Sequence, residues 1–209
     1  MAFSIQCLTV GPLQENCYVL ADSDSHAAVL IDPGDEADKL LAALAKQDLQ
    51  LQAIWLTHAH FDHVGALADI LDKHDVPVWM HPADEVLLKN AAASAASWNV
   101  RIRQPDCATQ PLSHGQCLEF AGLSFLCLYT PGHAPGHIAF YLESEKLVIA
   151  GDALFRGSIG RTDLPYGDHE QLLSSIRREL LSLPPETHIF PGHGPETSIA
   201  FEKEHNPFF

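Results

Sequence analysis

This chain of 209 residues shows the same order of predicted elements in each half. Several apolar strands come first, and strands that alternate with helices follow. Apolar or alanine-rich runs predict helices at 37–46, 65–73, 83–98 and 169–181. Apolar, β-branched runs closed by turn residues predict strands at 3–10, 17–21, 27–31, 51–56, 76–80, 117–120, 123–129, 138–142, 147–150 and 187–190. Because a sheet must bury one face, this order predicts two packed β-sheets with helices outside.

The length of the chain allows one substantial hydrophobic core, so we expect a single domain over 1–209 that is built from two halves. The segment 101–116 is polar and contains proline, and we expect it to be a surface connection between the halves.

Composition excludes several kinds of partner. The net charge of −15 argues against a nucleic acid and against an anionic membrane surface, because both need a basic face. No apolar run approaches the roughly 20 residues of a membrane helix, and residues 1–6 lack the features of a secretory signal.

The five cysteines include no Cys-x-x-Cys pair, so we expect reduced, buried thiols in a cytoplasmic protein. Its partner is then expected to be a small-molecule substrate.

Histidines are concentrated where predicted strands end. Of 13 histidines, a subset falls in three short loops that directly follow strands, namely His58, His60, His63, His133, His137 and His193. Asp62 and Asp152 share these loops. Loops that leave strand ends can aim side chains into one cleft, and neutral imidazole and carboxylate are ligands that Zn²⁺ prefers. The pattern therefore predicts a metal site.

The spacing of these residues favours two metal ions. His58 and His60 are two apart in extended chain and point to the same side, whereas Asp62 and His63 follow the turn and can face a second centre. A zinc ion is saturated by four ligands. The candidate ligands are too many for one ion, and a pair of ions about 3.5–4 Å apart uses them all: His58, His60, Asp62, His63, His133, Asp152 and His193.

The sequence 57–63, Thr-His-x-His-x-Asp-His, resembles the signature of the metallo-β-lactamase superfamily. Pro131-Gly132-His133, Gly151-Asp152 and 191–194 complete that signature in order. The resemblance implies a four-layer αβ/βα sandwich, an α+β fold, with the site at one edge. It also implies that the first metal is bound by His58, His60 and His133, the second by Asp62, His63 and His193, and that Asp152 bridges them.

Within the superfamily the chain resembles glyoxalase II, the hydroxyacylglutathione hydrolases, and their short single-domain bacterial relatives. The resemblance implies hydrolysis of a small thioester by metal-bound hydroxide, with Asp62 and Asp152 as catalytic residues. A thioester suits such a site because its thiol, with a pKa near ~8.5, departs with little acid assistance. The C-terminal helical domain of full-length glyoxalase II is expected to be absent, which leaves the thiol carrier open between glutathione and a related thiol.

Other activities on the same scaffold remain open at this point. A persulfide dioxygenase would bind one iron through two histidines and an aspartate, and lactone or β-lactam hydrolysis would use the two-metal site. The complete second set, Asp62, His63 and His193, favours hydrolysis. The metals are expected to be zinc, with iron or manganese as alternatives, because all three accept nitrogen and oxygen ligands.

Two further residues have alternative roles. Arg161 matches a basic residue that helps to hold glutathione in glyoxalase II relatives, and its planar fork suits a substrate carboxylate. A structural ion pair with Asp163 is the equal alternative. For His137, which follows Gly136 and starts a strand, we expect a structural role or one that orients a ligand.

Overall fold

The computed structural model describes residues 3–209 and divides into two compact units, the first ending at Pro111 and the second spanning Leu112–Phe209. The boundary between the units falls inside the segment 101–116, which the sequence predicts to be a connection.

The first unit contains a mixed six-stranded sheet in sequential order. Its first three strands pair antiparallel and the last four pair parallel, so the third strand belongs to both arrangements. The strands are β1 (Phe3–Val10), β2 (Glu15–Asp22), β3 (Ala27–Ile31), β4 (Gln50–Trp55), β5 (Val78–Met80) and β6 (Thr109–Pro111). Strand β2 is buried along its whole length, as expected for a strand covered on both faces.

Short helices pack on this sheet because their apolar residues recur on one face. Leu40 and Leu44 are the buried residues of α1, and Leu67 and Ile70 are those of α3. The helices are α1 (Ala37–Lys46), α2 (Phe61–Val64), α3 (Leu67–Leu71), α4 (Glu85–Lys89) and α5 (Ala91–Ser97). The prediction of one helix over 83–98 is wrong in detail, because the chain leaves helical geometry at Asn90, where the side-chain amide donates to the carbonyl of Val86.

The second unit contains another mixed six-stranded sheet, in the order β14-β13-β10-β9-β8-β7. Only the β10–β13 pair is parallel. The strands are β7 (Cys117–Phe120), β8 (Leu123–Tyr129), β9 (Ile138–Leu142), β10 (Leu147–Gly151), β13 (His188–Pro191) and β14 (Thr197–Ser198), and a separate hairpin consists of β11 (Leu154–Phe155) and β12 (Ser158–Ile159). Two mixed sheets with helices confirm the predicted fold class at the level of each unit.

Two helices complete the second unit. Helix α6 (His169–Ser175) continues as a π-helical segment over Ile176–Leu180, which matches the predicted helix at 169–181. Helix α7 (Ile199–His205) was not predicted, although the Ser198 hydroxyl caps it by accepting from the Phe201 N–H. No helix among residues 3–209 is long and apolar enough to cross a membrane.

The expectation of buried cysteines holds only for Cys17 and Cys127. Burial raises the pKa of the Cys127 thiol to about 12, so this thiol stays protonated at neutral pH. Cys107 is half-buried, and Cys7 and Cys117 are exposed. The last two lie on β1 and β7, each of which is one edge strand of its sheet, where alternate side chains face solvent.

Candidate metal centre

In the first unit, the predicted ligands lie where β4 ends. His58 is fully buried, and its ring centroid lies 4.8 Å from that of His60 and 4.1 Å from that of His63. His63 and Asp62 belong to helix α2, so the expectation that the six candidate histidines lie in loops is wrong for His63. The Nε2 atom of His63 is 4.0 Å from Oδ2 of Asp62. The structure thus brings together His58, His60, Asp62 and His63.

A buried carboxylate that was not identified from the sequence, Asp32, orients this group. Its Oδ1 atom accepts from the Thr57 N–H at 2.7 Å, and its Oδ2 atom lies 3.0 Å from Nδ1 of His63. A carboxylate at Nδ1 fixes the imidazole tautomer so that Nε2 is the nitrogen that binds a metal. Asp32, His58 and His63 also lie close enough to form a ligand group themselves. Because Thr57 and His63 already engage both oxygens of Asp32, we assign it an orienting role.

Two more polar contacts support the same loop. The Thr57 hydroxyl lies 3.0 Å from Nδ1 of His58, which again leaves Nε2 as the metal-binding nitrogen. The buried carboxylate of Asp84 accepts from the Ala59 N–H at 2.9 Å and thereby holds the backbone between His58 and His60. Asp84 lies in the 3₁₀ turn Pro82–Asp84, and no sequence motif linked it to the loop.

In the second unit, Asp152 lies between two histidines. Its Oδ2 atom is 3.5 Å from Nε2 of His133 and 3.6 Å from Nε2 of His193. Two ligands that each sit about 2.0–2.1 Å from one tetrahedral metal are about 3.4 Å apart. The observed separations therefore fit a carboxylate and two imidazoles that share metal ions, and the donor set is one that zinc, iron or manganese accepts.

Hydrogen bonds around Asp152 and His133 fix both residues. His137 is fully buried, its Nε2 accepts from the Asp152 N–H at 3.0 Å, and its Nδ1 lies 2.8 Å from the Thr130 hydroxyl. These contacts agree with the structural role expected for His137. Nδ1 of His133 bonds to the carbonyl oxygen of Arg161 at 2.7 Å, an orienting contact that the sequence did not reveal.

Glycines allow the backbone to pass close to these ligands. A Cβ atom at Gly160 would lie 1.9 Å from the carbonyl oxygen of Asp152 and 3.1 Å from Nδ1 of His133. Gly132 has a φ of +130°, and a Cβ there would lie 2.3 Å from the Leu172 nitrogen. Gly132 therefore serves the backbone, because a residue with a Cβ atom would not fit at this φ and in this space.

The Arg161 side chain forms an ion pair with Asp163, which is one of the two roles expected for it from the sequence. Its Nε and Nη2 atoms each lie 2.7 Å from an oxygen of Asp163, in a bidentate arrangement. This pairing lowers the pKa of the Asp163 carboxyl to about 2. Both side chains are exposed, at 47% and 68%.

The family model for the metallo-beta-lactamase superfamily matches residues 10–193, so the chain belongs to the metallo-β-lactamase superfamily. It is 39% identical over 209 residues to the hydroxyacylglutathione hydrolase GloC of Haemophilus influenzae, covering 98% of this chain and 97% of that protein.

Solved structures give the same fold. TTHA1623 in a di-iron-bound form superposes with a TM-score of 0.90 at 48% identity, over 98% of this chain and 100% of that chain. The BLEG-1 B3 metallo-β-lactamase superposes with a TM-score of 0.91 at 40% identity, over 98% of this chain and 99% of that chain. The chain thus has the metallo-β-lactamase fold and carries histidine and aspartate groups suited to metal binding.

Proposed function

We propose that this protein is a dinuclear metal-dependent hydrolase that cleaves a small thioester of the S-hydroxyacyl-glutathione type. The observation that carries the proposal is the position of the Asp152 carboxylate, with one oxygen 3.5–3.6 Å from the Nε2 atoms of His133 and His193. A structural zinc site saturates one ion with four ligands. A carboxylate oxygen that faces two imidazoles instead suits a bridging ligand.

The ligands are assigned by membership of the superfamily. His58, His60 and His133 would hold the first metal, Asp62, His63 and His193 the second, and Asp152 would bridge them. When bound, the two ions lower the pKa of coordinated water toward ~7 and polarise a carbonyl oxygen. The structure of TTHA1623, which resembles this chain over its whole length, is of a di-iron-bound form, so iron and zinc are both proposed as the resident metal.

The protein's own residues keep these ligands in position. The Asp32 carboxylate and the Arg161 carbonyl each engage the Nδ1 atom of a ligand histidine, which holds the ring and its tautomer. His137 holds the backbone of Asp152 through a bond that does not involve its carboxylate. The site is therefore preorganised, and its donors need little rearrangement during the reaction.

The nature of the leaving group supports a thioester substrate. A thiolate with a conjugate-acid pKa near ~8.5 can depart with little acid assistance, whereas an amine must be protonated. The similarity to GloC, named a hydroxyacylglutathione hydrolase, supports the same substrate class. The proposed catalytic residues are Asp62 and Asp152.

Arg161 is proposed to bind a carboxylate of the thiol carrier. Its pair with Asp163 lies on the surface, and exposed ion pairs are worth only about 0–1 kcal/mol, so a substrate carboxylate can replace Asp163. Removing the competitor in Asp163→Asn is expected to lower KM for a glutathione thioester, and Arg161→Ala is expected to raise it. An unchanged KM in Arg161→Ala would rule out this role.

The decisive experiment measures metal content per chain together with thiol release from S-lactoylglutathione. Two metal ions per chain with thiol release that stops on chelation support the proposal. One iron per chain with oxygen uptake on a glutathione persulfide would replace it by a dioxygenase. Nitrocefin hydrolysis without thiol release would assign β-lactamase activity, which the similarity to BLEG-1 makes a necessary control.

A further inference from the structure

The segment 161–168, here called the 161–168 loop, is tied at both ends to the turn that carries His133. At its start, the Arg161 carbonyl bonds to Nδ1 of His133 at 2.7 Å. At its end, the Asp168 N–H donates to the Gly132 carbonyl at 2.7 Å. The Asp168 carboxylate also caps helix α6 by accepting from the Gln171 N–H. The loop is therefore a fixed part of the surface beside a proposed metal ligand.

The loop folds back on itself. Gly167 packs so closely on the Thr162 carbonyl oxygen that a Cβ atom would lie 2.4 Å from it. The Gly167 N–H also donates to the Leu164 carbonyl at 2.9 Å, which closes a β-turn over Leu164–Gly167. Thr162 and Gly167 therefore lie against each other at the base of the loop. Arg161 directly precedes Thr162, and Tyr166 directly precedes Gly167.

Tyr166 occupies the position of this turn that requires a positive φ. Its φ is 71°, and it follows Pro165 in the pattern of a type II turn, where Gly or Asn is the usual residue. It is the bulkiest residue with a positive φ between residues 3 and 209. A bulky L-residue in this region is strained, and strain of this kind concentrates at ligand-binding sites.

Burial does not compensate for this strain. The Tyr166 side chain is 57% exposed, more than any other large apolar side chain in the described part of the chain. A strained backbone that presents an aromatic ring to solvent has no evident benefit for folding. A benefit for binding is consistent with the preference for Tyr and Arg as anchors in recognition surfaces, where Tyr gives a large, rigid contact area.

Distance along the chain keeps Tyr166 within reach of a substrate at the proposed centre. Tyr166 is two positions before Asp168, so their Cα atoms are at most about 7 Å apart. Asp168 itself bonds to Gly132, the neighbour of His133. A tripeptide thiol extends roughly 10 Å along its backbone, as three residues do. The carrier of a thioester bound at His133 can therefore cover the 161–168 loop.

We infer that Tyr166 is a specificity-determining residue whose ring contacts the peptide part of the thiol carrier, next to the carboxylate site at Arg161. The inference rests on the proposed function, since it assumes a thioester that reacts near His133. It adds a residue, Tyr166, that recognises the peptide part of the carrier, and it assigns this recognition to the 161–168 loop.

The test compares Tyr166→Gly, Tyr166→Phe and wild type on two lactoyl thioesters, one of glutathione and one of N-acetylcysteamine. For Tyr166→Gly, we expect KM for the glutathione thioester to rise about fivefold to tenfold, the size of one anchor contact. The kcat/KM ratio between the two thioesters should fall by the same factor. Tyr166→Phe keeps the ring, and its ratio should stay within about twofold of wild type.

Thermal unfolding gives a readout that a purely structural tyrosine would not share. Glycine relieves the positive φ, so Tyr166→Gly should raise Tm by about 2–4 °C while it weakens recognition. The matched control is Ala121→Gly, because Ala121 has a φ of 54° in the turn between β7 and β8. It should raise Tm without changing the ratio between the thioesters.

An unchanged ratio in Tyr166→Gly, the same change in Ala121→Gly, or a loss in Tyr166→Phe as large as in Tyr166→Gly would overturn the inference. Failure of the proposed function gives a different result, namely that the wild-type protein hydrolyses neither thioester. In that case, calorimetric titration with S-methylglutathione tests the recognition role of Tyr166 separately from hydrolysis. Weaker binding by Tyr166→Gly supports the recognition role without hydrolysis, and equal binding, or none by either protein, overturns it.

Discussion

The carbonyl oxygen of Arg161 and Nδ1 of His133 lie 2.7 Å apart, although 28 positions separate the two residues in the sequence. An acceptor at Nδ1 requires a proton on that nitrogen and leaves Nε2 for a metal. The backbone of Arg161 thus orients a proposed ligand, while its side chain faces the exposed Asp163. The position of this carbonyl depends on the β11–β12 hairpin, which directly precedes it.

The hairpin is held by a buried carboxylate, and this gives the first prediction. Glu202 on α7 is fully buried and accepts from the Gly157 N–H at 3.0 Å, from the Thr197 hydroxyl and from the Asn206 amide. Glu202→Ala leaves these donors without their acceptor and should lower the free energy of unfolding by about 2–3 kcal/mol. Urea denaturation measures this value.

The matched control for Glu202 is Glu204→Ala, which removes an exposed carboxylate from the same helix. Its effect on the free energy of unfolding should stay within about 0.5 kcal/mol. Equal urea midpoints for the two variants would show that the buried hydrogen bonds of Glu202 do not stabilise the unit.

Asp32 is predicted to support metal binding without contacting the metal. Asp32→Asn places an amide at Nδ1 of His63 in place of a carboxylate, which removes the charged acceptor that fixes the ring. Loss of such a partner typically reduces metal affinity roughly 10- to 100-fold. Competition with a chelator measures the affinity. Asp38→Asn, which alters only the exposed pair with Lys73, is the control, and affinity equal to that of this control would contradict the orienting role.

Much of the fold could be predicted because its elements are locally encoded. Strand β3 and helix α1 have the predicted bounds, since apolar periodicity and turn residues mark both ends. The short strands β6, β11 and β14 were missed because two or three residues carry no periodic signal. Such strands form only because a neighbouring strand offers hydrogen bonds, which is a property of the tertiary structure.

The residues of the candidate site also fall into those that the sequence identifies and those that only the structure identifies. Motifs identified the proposed ligands, because metal binding restricts both residue type and spacing. The residues that orient them, Asp32, Asp84 and the Arg161 carbonyl, lie 25 or more positions from their partners. A backbone carbonyl has no sequence signature at all, so only the three-dimensional structure identifies that contact.

The Arg161–Asp163 pair is predicted to make the stability of the folded protein vary with pH in the acid range. The pKa of Asp163 is lowered from 3.8 to about 2 by hydrogen bonding to Arg161. A lowered carboxyl pKa gives stabilisation that is present above pH 3.8 and is lost as pH falls toward about 2. Asp163→Asn should therefore have a slightly lower Tm than wild type at pH 6, and the difference should vanish near pH 2. A difference that grows on acidification would mean that the pair is not formed in solution.

Asp152→Asn tests the proposed bridge with little disturbance of the fold. The substitution is isosteric, and the bond from the Asp152 N–H to His137 involves the backbone and is retained. A neutral amide cannot replace a carboxylate between two cations, so metal content should fall from two ions per chain to one or fewer. Thiol release should fall at least about a hundredfold, because a metal supplies several kcal/mol of charge stabilisation. Elemental analysis and the thioester assay are compared with Glu145→Gln, an exposed carboxylate of the same unit. If Asp152→Asn retained two ions and normal turnover, Asp152 would not be the bridging ligand, and its position between His133 and His193 would need another explanation.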